Sequence, residues 1–383
     1  MSACLACGSA NVTPFLKLPD VPVFCNVLHE TKESALAAAR GDLDLGICGD
    51  CGHVFNLAFD EKLVEYAEGY ENSLHHSPRF QAYAEELAAD LRQRHDLPGS
   101  RIVEIACGQG DFLALACADD CEGVGFDPSF RGEPAAPGLE IRAEYFGVSP
   151  FGGRVDLLAC RHALEHIDAP VPFLEQVKAA VPVGSDPVVF FEVPNSLWSL
   201  RDGGVWDFIY EHVSYFNARS MTACFERAGY AVRRTWETFG GQFLCLEAGP
   251  GEGGPDLDAV PPSPDLVGMA RGLDTELRGL LERWGSRLAD ISAAGGRTAV
   301  WGTGSKGVTF LNLLGDAADG AVPVDINPQK RGLFVAGTGH EVAAPEDLPG
   351  RDIALVLVMN PVYTSEITDM VRAQGLDAEV VGV

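Results

Sequence analysis

Apolar residues recur along this chain with two different periods. From Pro78 to Leu97, Phe80, Tyr83, Ala84, Leu87 and Leu91 fall at three- and four-residue steps, which predicts one face of a helix. Short apolar runs bounded by glycine and polar residues follow. Arg101–Ala106 predicts a strand, Phe112–Cys117 a helix and Gly123–Phe126 a second strand. Asp156–Ala159 and Pro187–Val193 predict later strands, with a helix over Pro172–Val181 between them. Strands alternating with helices predict a parallel sheet covered on both faces. Pro250–Asp265 is rich in proline, glycine and acid, has no apolar period, and reads as a linker. A long helix is expected over Leu266–Ala294, where Leu273, Leu277, Leu280, Leu281, Trp284 and Leu288 keep helical spacing. The β-α-β rhythm then restarts, with strands Arg297–Trp301, Ala321–Asp325 and Ile353–Met359 and helices Gly307–Leu314 and Tyr363–Gln374. The expected organisation is a lobe over 1–57, a helical connector over 58–97, an α/β domain over 98–249, a linker and helix over 250–290, and a smaller α/β domain over 291–383.

Composition narrows the partners. Asp and Glu number 55 against 28 Lys and Arg, and a net charge of −27 opposes nucleic acid and anionic membranes. A small-molecule substrate is the expected partner, and oligomeric state is not legible. The N-terminus carries no basic and apolar leader, and runs such as Ala354–Met359 are too short to span a bilayer. The scattered cysteines Cys25, Cys107, Cys117, Cys121, Cys160, Cys224 and Cys245 suit a reducing compartment, so the chain is read as cytoplasmic.

Three clusters can carry chemistry. Cys4-x-x-Cys7 and Cys48-x-x-Cys51 supply four thiolates on two tight turns, a ligand set for structural Zn²⁺ with no open coordination position. Glu104-Ile-Ala-Cys107-Gly108-Gln-Gly110 lies between a strand and a helix and lacks the third glycine of a dinucleotide fingerprint, with Leu113 in its place. Asp127 ends the next strand, where a carboxylate can accept ribose hydroxyls. Tyr210-Glu211-His212-Val213-Ser214-Tyr215 packs a carboxylate, an imidazole and two phenols after the loop Pro194-Asn195, at the expected C-terminal edge of the sheet.

The acidic-x-x-x-Gly-x-Gly turn resembles motif I of class I S-adenosylmethionine (SAM) methyltransferases. Arg161-His162-Ala-Leu-Glu165-His166-Ile167 looks like that family's fourth strand and the following segment. With the cysteine knuckle, the Glu211-His212-Val213-Ser214-Tyr215-Phe216 segment and the later Gly302-Thr-Gly304-Ser-Lys306-Gly307 turn, the whole chain resembles the sugar C-methyltransferases. These enzymes alkylate nucleotide-linked keto-deoxysugars in antibiotic and cell-surface glycan pathways. The resemblance implies a class I SAM-methyltransferase Rossmann-like α/β domain, an N-terminal zinc-binding lobe and a smaller C-terminal Rossmann-like α/β domain. It implies SAM bound by Glu104, Gly108, Gly110, Asp127 and His162. It makes His212 the base, with Glu211 its neighbour and Tyr210 and His166 assisting. Glu165 and His166 form a second acid–base pair. Tyr70, Tyr215, Asn195, Lys306 and Lys330 are the expected substrate contacts, joined by His75 and His76, with Tyr210 or Tyr215 steadying an enolate oxygen. Where the family shows Tyr-His-Glu-His this chain has Ile209-Tyr210-Glu211-His212: either the first two residues are replaced, or one is deleted and Tyr210 is the family's tyrosine.

Three rival readings stand beside this one. The Gly302 turn is a full Gly-x-Gly-x-x-Gly with Asp325 about 20 residues on, which by itself predicts a dinucleotide enzyme. Lys306 and the basic Lys330-Arg331 spot suit an anionic group instead. The same residues are compatible with an O- or N-methyltransferase of another metabolite, and with a SAM- or nucleotide-binding protein without catalysis.

Overall fold

The computed structural model describes residues 3–64, 76–118, 120–149, 152–201, 204–251 and 265–383. Three sheets organise it. The central sheet has seven strands, and the chain runs outwards from its middle in both directions. Arg101–Ile105 is flanked by Glu122–Phe126 and then Glu140–Arg142 on one side. Leu157–Arg161, Val188–Pro194, Phe243–Pro250 and Tyr230–Thr238 follow in space on the other. The first five of these strands are parallel, as expected for buried apolar runs joined by helices.

The last two correct the all-parallel expectation. Tyr230–Thr238 and Phe243–Pro250 form an antiparallel hairpin, which joins the sheet by pairing antiparallel to Val188–Pro194. The turn runs through Phe239, Gly240 and Gly241, all in left-handed backbone. Helix Pro78–His95 covers one face of the sheet with Phe80, Leu87 and Leu91. Helices Pro170–Ala180 and Ala218–Arg227 cover the other.

The N-terminal lobe is a small antiparallel sheet of Val12–Pro22, Arg40–Cys48, Val54–Asn56 and Ser214–Tyr215. Its fourth strand comes from a distant part of the chain, so the lobe and the segment around His212 are one ladder. The C-terminal sheet is parallel, in the order Val322–Val324, Arg297–Trp301, Ile353–Val358, Glu379–Gly382. Helix Leu266–Ala293 packs between it and the lobe. Leu43 and Leu45 of the lobe, Leu273 and Leu277 of this helix and Phe310 and Leu355 beyond it share one hydrophobic core. Among the described residues no helix is long and apolar enough to cross a membrane.

Candidate active site

The reversal of strand order falls between Arg101–Ile105 and Leu157–Arg161, and a crevice opens beyond the carboxyl ends of two such strands. The turns leaving these strands carry backbone strain. Ala106 and His162, neither of them glycine, hold φ of 56° and 50°, a conformation that costs energy and clusters where function needs it. In the first turn Gly108 and Gly110 are also left-handed, at 57° and 86°. A Cβ on Gly110 would come within 2.7 Å of Ile141 Cδ1. Gly108 N–H donates to Asp127 Oδ2 at 2.9 Å, while Ser129 donates to Asp127 Oδ1 from its backbone and hydroxyl. Glu104 is buried under the turn with Oε2 unpartnered. Burial pushes its carboxyl up to about 8, against the pull of Arg161. A buried, unsatisfied carboxyl beside a glycine turn suits a ligand that brings a positive charge or a donor.

The second turn, His162–His166, borders a cavity of about 280 Å³. Its walls come from this turn, from Asp207 and His212, and from the glycine turn and strand ends of the C-terminal sheet. His212 is partly buried, and its Nδ1 has no hydrogen-bond partner. The ring meets His166 edge-on at 4.7 Å between centroids. Burial, then the neighbouring His166 and His162, hold His212 well below the usual imidazole range. The ring is therefore favoured in its neutral form. His166 Nδ1 donates to the Glu211 carbonyl at 3.0 Å, which leaves Nε2 as an acceptor. Burial depresses His166 to about 4.

Two family models match this architecture. That of a methyltransferase domain matches residues 79–235, and that of a C-methyltransferase C-terminal domain matches residues 272–377. The chain is a methyltransferase. No curated protein matches it. Among solved structures, it is similar to magnesium protoporphyrin IX methyltransferase from Synechocystis, at 17% identity and TM-score 0.36 over 48% of this chain and 90% of that one. It is also similar to a SAM-dependent methyltransferase from Aquifex aeolicus, at 15% identity and TM-score 0.35 over 46% and 94%. A third is the 1,6-didemethyltoxoflavin-N1-methyltransferase of Burkholderia thailandensis, at 13% and 0.35 over 53% and 98%.

In this methyltransferase the expected site residues separate into two groups. His162, His166, His212, Lys306 and Lys330 line the cavity, as do Glu165 and His76. Other residues lie elsewhere. Tyr210 is fully buried in the lobe, stacked on Phe59, with its hydroxyl accepting from Asp60 N–H at 2.9 Å. This corrects its placement beside the base. Ile209 likewise packs in that core. Tyr215 is corrected too, because its hydroxyl donates to the Ile209 carbonyl and accepts the Ile209 N–H, leaving none for an enolate. Asn195 is a buried turn residue, donating to the Gly241 carbonyl and accepting from Leu197 N–H. The Glu211 carboxylate accepts from Cys25 N–H at 2.9 Å, so it anchors the loop and does not face His212 alone. Tyr70 and His75 lie outside the described residues.

The lysines are not free cations. Lys306 pairs with Asp207 at 3.0 Å and lies over the Trp198 ring. Lys330 pairs with Asp325 at 3.2 Å. Asp325 also accepts from Thr303 and from Asn327 N–H, which fills the carboxylate a dinucleotide ribose would need.

One group escaped sequence reasoning. Glu192, fully buried, meets Tyr83 hydroxyl at 2.5 Å, Arg161 at 3.0 Å and His162 Nε2 at 2.6 Å. Burial alone would raise its pKa, yet Arg161, His162 and Tyr83 hold it down to about 2. The signal was a lone acid inside the apolar run Val188–Pro194.

The four knuckle cysteines converge, with every sulfur within 4.8 Å of the others. Cys4 and Cys51 Sγ stand 3.7 Å apart, and Cys7 and Cys48 Sγ 3.5 Å apart. Tetrahedral bonds of about 2.3 Å separate their sulfurs by roughly 3.8 Å, so the donor set fits Zn²⁺.

Proposed function

We propose that the enzyme methylates carbon next to the ketone of a nucleotide-linked keto-deoxysugar. One observation carries this reading: a neutral imidazole with a free nitrogen, His212, lines a cavity shared with a match to a C-methyltransferase C-terminal domain. SAM supplies an already activated methyl group on a sulfonium, so the protein has to deprotonate and position the acceptor. Gly108, Gly110 and Glu104 hold the methyl donor, with Asp127 and His162 beside it. His212 takes the proton from carbon. Its low basicity in the cavity keeps it unprotonated across working pH, and the enolate charge that forms beside it strengthens its hold on the proton. His166, tied to the Glu211 carbonyl, fixes the ring packed against it.

Lys306 and Lys330 offer the cavity's ammonium groups to an anionic part of the substrate, which draws Lys306 away from Asp207. Cys4, Cys7, Cys48 and Cys51 hold structural zinc. Replacing His212 with Ala is expected to lower methyl transfer about 100-fold or more, with SAM affinity by calorimetry unchanged. Full activity in that variant would remove His212 as the base.

A further inference from the structure

A carbanion formed next to a ketone places its charge on the ketone oxygen, and a buried oxyanion needs a donor. Among the described residues, several donors near His212 are committed elsewhere. Tyr215 donates its hydroxyl to the Ile209 carbonyl, Tyr210 is packed away in the lobe against Phe59, and the His166 N–H goes to the Glu211 carbonyl. Lys306 and Lys330, paired with Asp207 and Asp325, are assigned above to the anionic part of the substrate. Gln242 and Asn360 pair with each other through both amide groups.

Glu165 is different. It lines the same cavity, is 2% exposed, and its Oε2 has no hydrogen-bond partner. It also clusters with His166 and His212, the three groups offering atoms within 4.8 Å of one another. On the reading that His212 is the base, we propose that Glu165 is a further catalytic residue, donating a hydrogen bond from its carboxyl to the enolate oxygen. The C–H bond breaks, its proton goes to His212, and the electron pair moves to the oxygen that Glu165 faces. The Glu165 proton stays where it is. The carbonyl re-forms as the carbon takes the methyl group, the sulfonium leaves as a thioether, and His212 returns its proton to solvent.

The surroundings favour a protonated carboxyl. Burial raises Glu165 to about 7; His162, with Nδ1 3.9 Å away, pulls it down, while Glu192 and Glu211 push it up. His166 and His212 face it as neutral rings, and Cys160 lies on the strand just before it.

The test measures solvent-deuterium uptake next to the ketone of a dTDP-linked 4-keto-6-deoxyhexose, with S-adenosylhomocysteine present, across pH 5.5 to 9. Wild type is expected to lose activity as pH rises through about 7, where Glu165 ionises. Glu165→Gln keeps an N–H donor and should stay within about 10-fold while losing that alkaline limb. Glu165→Ala should fall about 100-fold, the scale of one lost oxyanion donor. Infrared difference spectra at pH 6 should show a protonated-carboxyl band that Glu165→Gln lacks. An unchanged alkaline limb in Glu165→Gln, or a Gln variant as inactive as Ala, overturns the proposal. So does a metal ion found in wild type and lost with Glu165→Ala, since the cluster would then be a metal site. Retained exchange in His212→Ala defeats the base assignment, whatever Glu165 does. Loss of exchange in His212→Ala with normal exchange in Glu165→Ala defeats only the role given to Glu165.

Discussion

Glu192 stands at the centre of a buried charge network that no motif announces. Removing one partner of a buried ion pair strands the other, at a cost of about 3–5 kcal/mol. Glu192→Ala leaves Arg161 buried without its carboxylate and should lower unfolding free energy by about that amount in urea at pH 7. Glu192→Gln should cost less, since it still accepts from Tyr83. The folded carboxyl sits at about 2 against an ordinary 4.5. Its stabilisation is therefore complete above about 4.5 and disappears as pH falls toward 2. Wild type should lose stability across that window more steeply than Glu192→Gln, and parallel acid-unfolding curves would contradict this assignment. Residue types and local spacing brought His212 and the four cysteines into view, because their chemistry is rare, and the family resemblance of Arg161–Ile167 added His166. Where a hydroxyl points was not legible. Tyr210 and Tyr215 sit near His212 in sequence, but a turn at Tyr210-Glu211, closed by the His212 N–H donating to the Ile209 carbonyl at 3.2 Å, sends the Tyr210 ring into the lobe.

Secondary elements were read best where a continuous apolar run is buried on both faces. Arg297–Trp301 has the expected bounds, and Arg101–Ile105 differs by one residue. The hairpin Tyr230–Thr238 and Phe243–Pro250 stayed hidden because the first of its strands is half-exposed and carries Arg233, Arg234 and Glu237. Only Gly240-Gly241 marked its turn. Val12–Pro22 was masked in the same way by Lys17, Asp20 and three prolines. Glycine turns, by contrast, declare themselves, and the first one can be tested as an element. Gly110→Ala must hold a left-handed backbone, costing about 1–2 kcal/mol, and its Cβ would press on Ile141. The turn is expected to shift, with SAM binding weakened about 10-fold or more in calorimetry and a melting temperature lowered by only a few degrees. Unaltered affinity would mean the methyl donor does not touch this turn.

At the scale of the whole molecule, the cysteine knuckle and the loop bearing His212 belong to one mechanical unit. Val54 and Phe55, just past the second cysteine pair, ladder with Tyr215 and Ser214, and Asn56 N–H donates to the Val213 carbonyl at 3.0 Å. Asn217 closes the unit by donating to the Gly52 carbonyl at 2.8 Å. The loop bearing His212 thus hangs between a ladder set by the knuckle and the cavity wall. Metal bound to four thiolates contributes folding free energy directly, because the site does not exist in the unfolded chain. Loss of zinc should release the strand at Val54–Asn56 first, and with it the position of His212, while the SAM turn on the central sheet stays in place. The expected outcome for Cys51→Ser, or for protein stripped by a chelator, is a drop in kcat of about 10-fold or more. SAM affinity should change little, and amide exchange should quicken across residues 213–217. Elemental analysis should give one zinc per chain before stripping and none after. Full turnover by metal-free protein, or faster exchange at the Gly108 turn than at Tyr215, would show that the knuckle does not set the base.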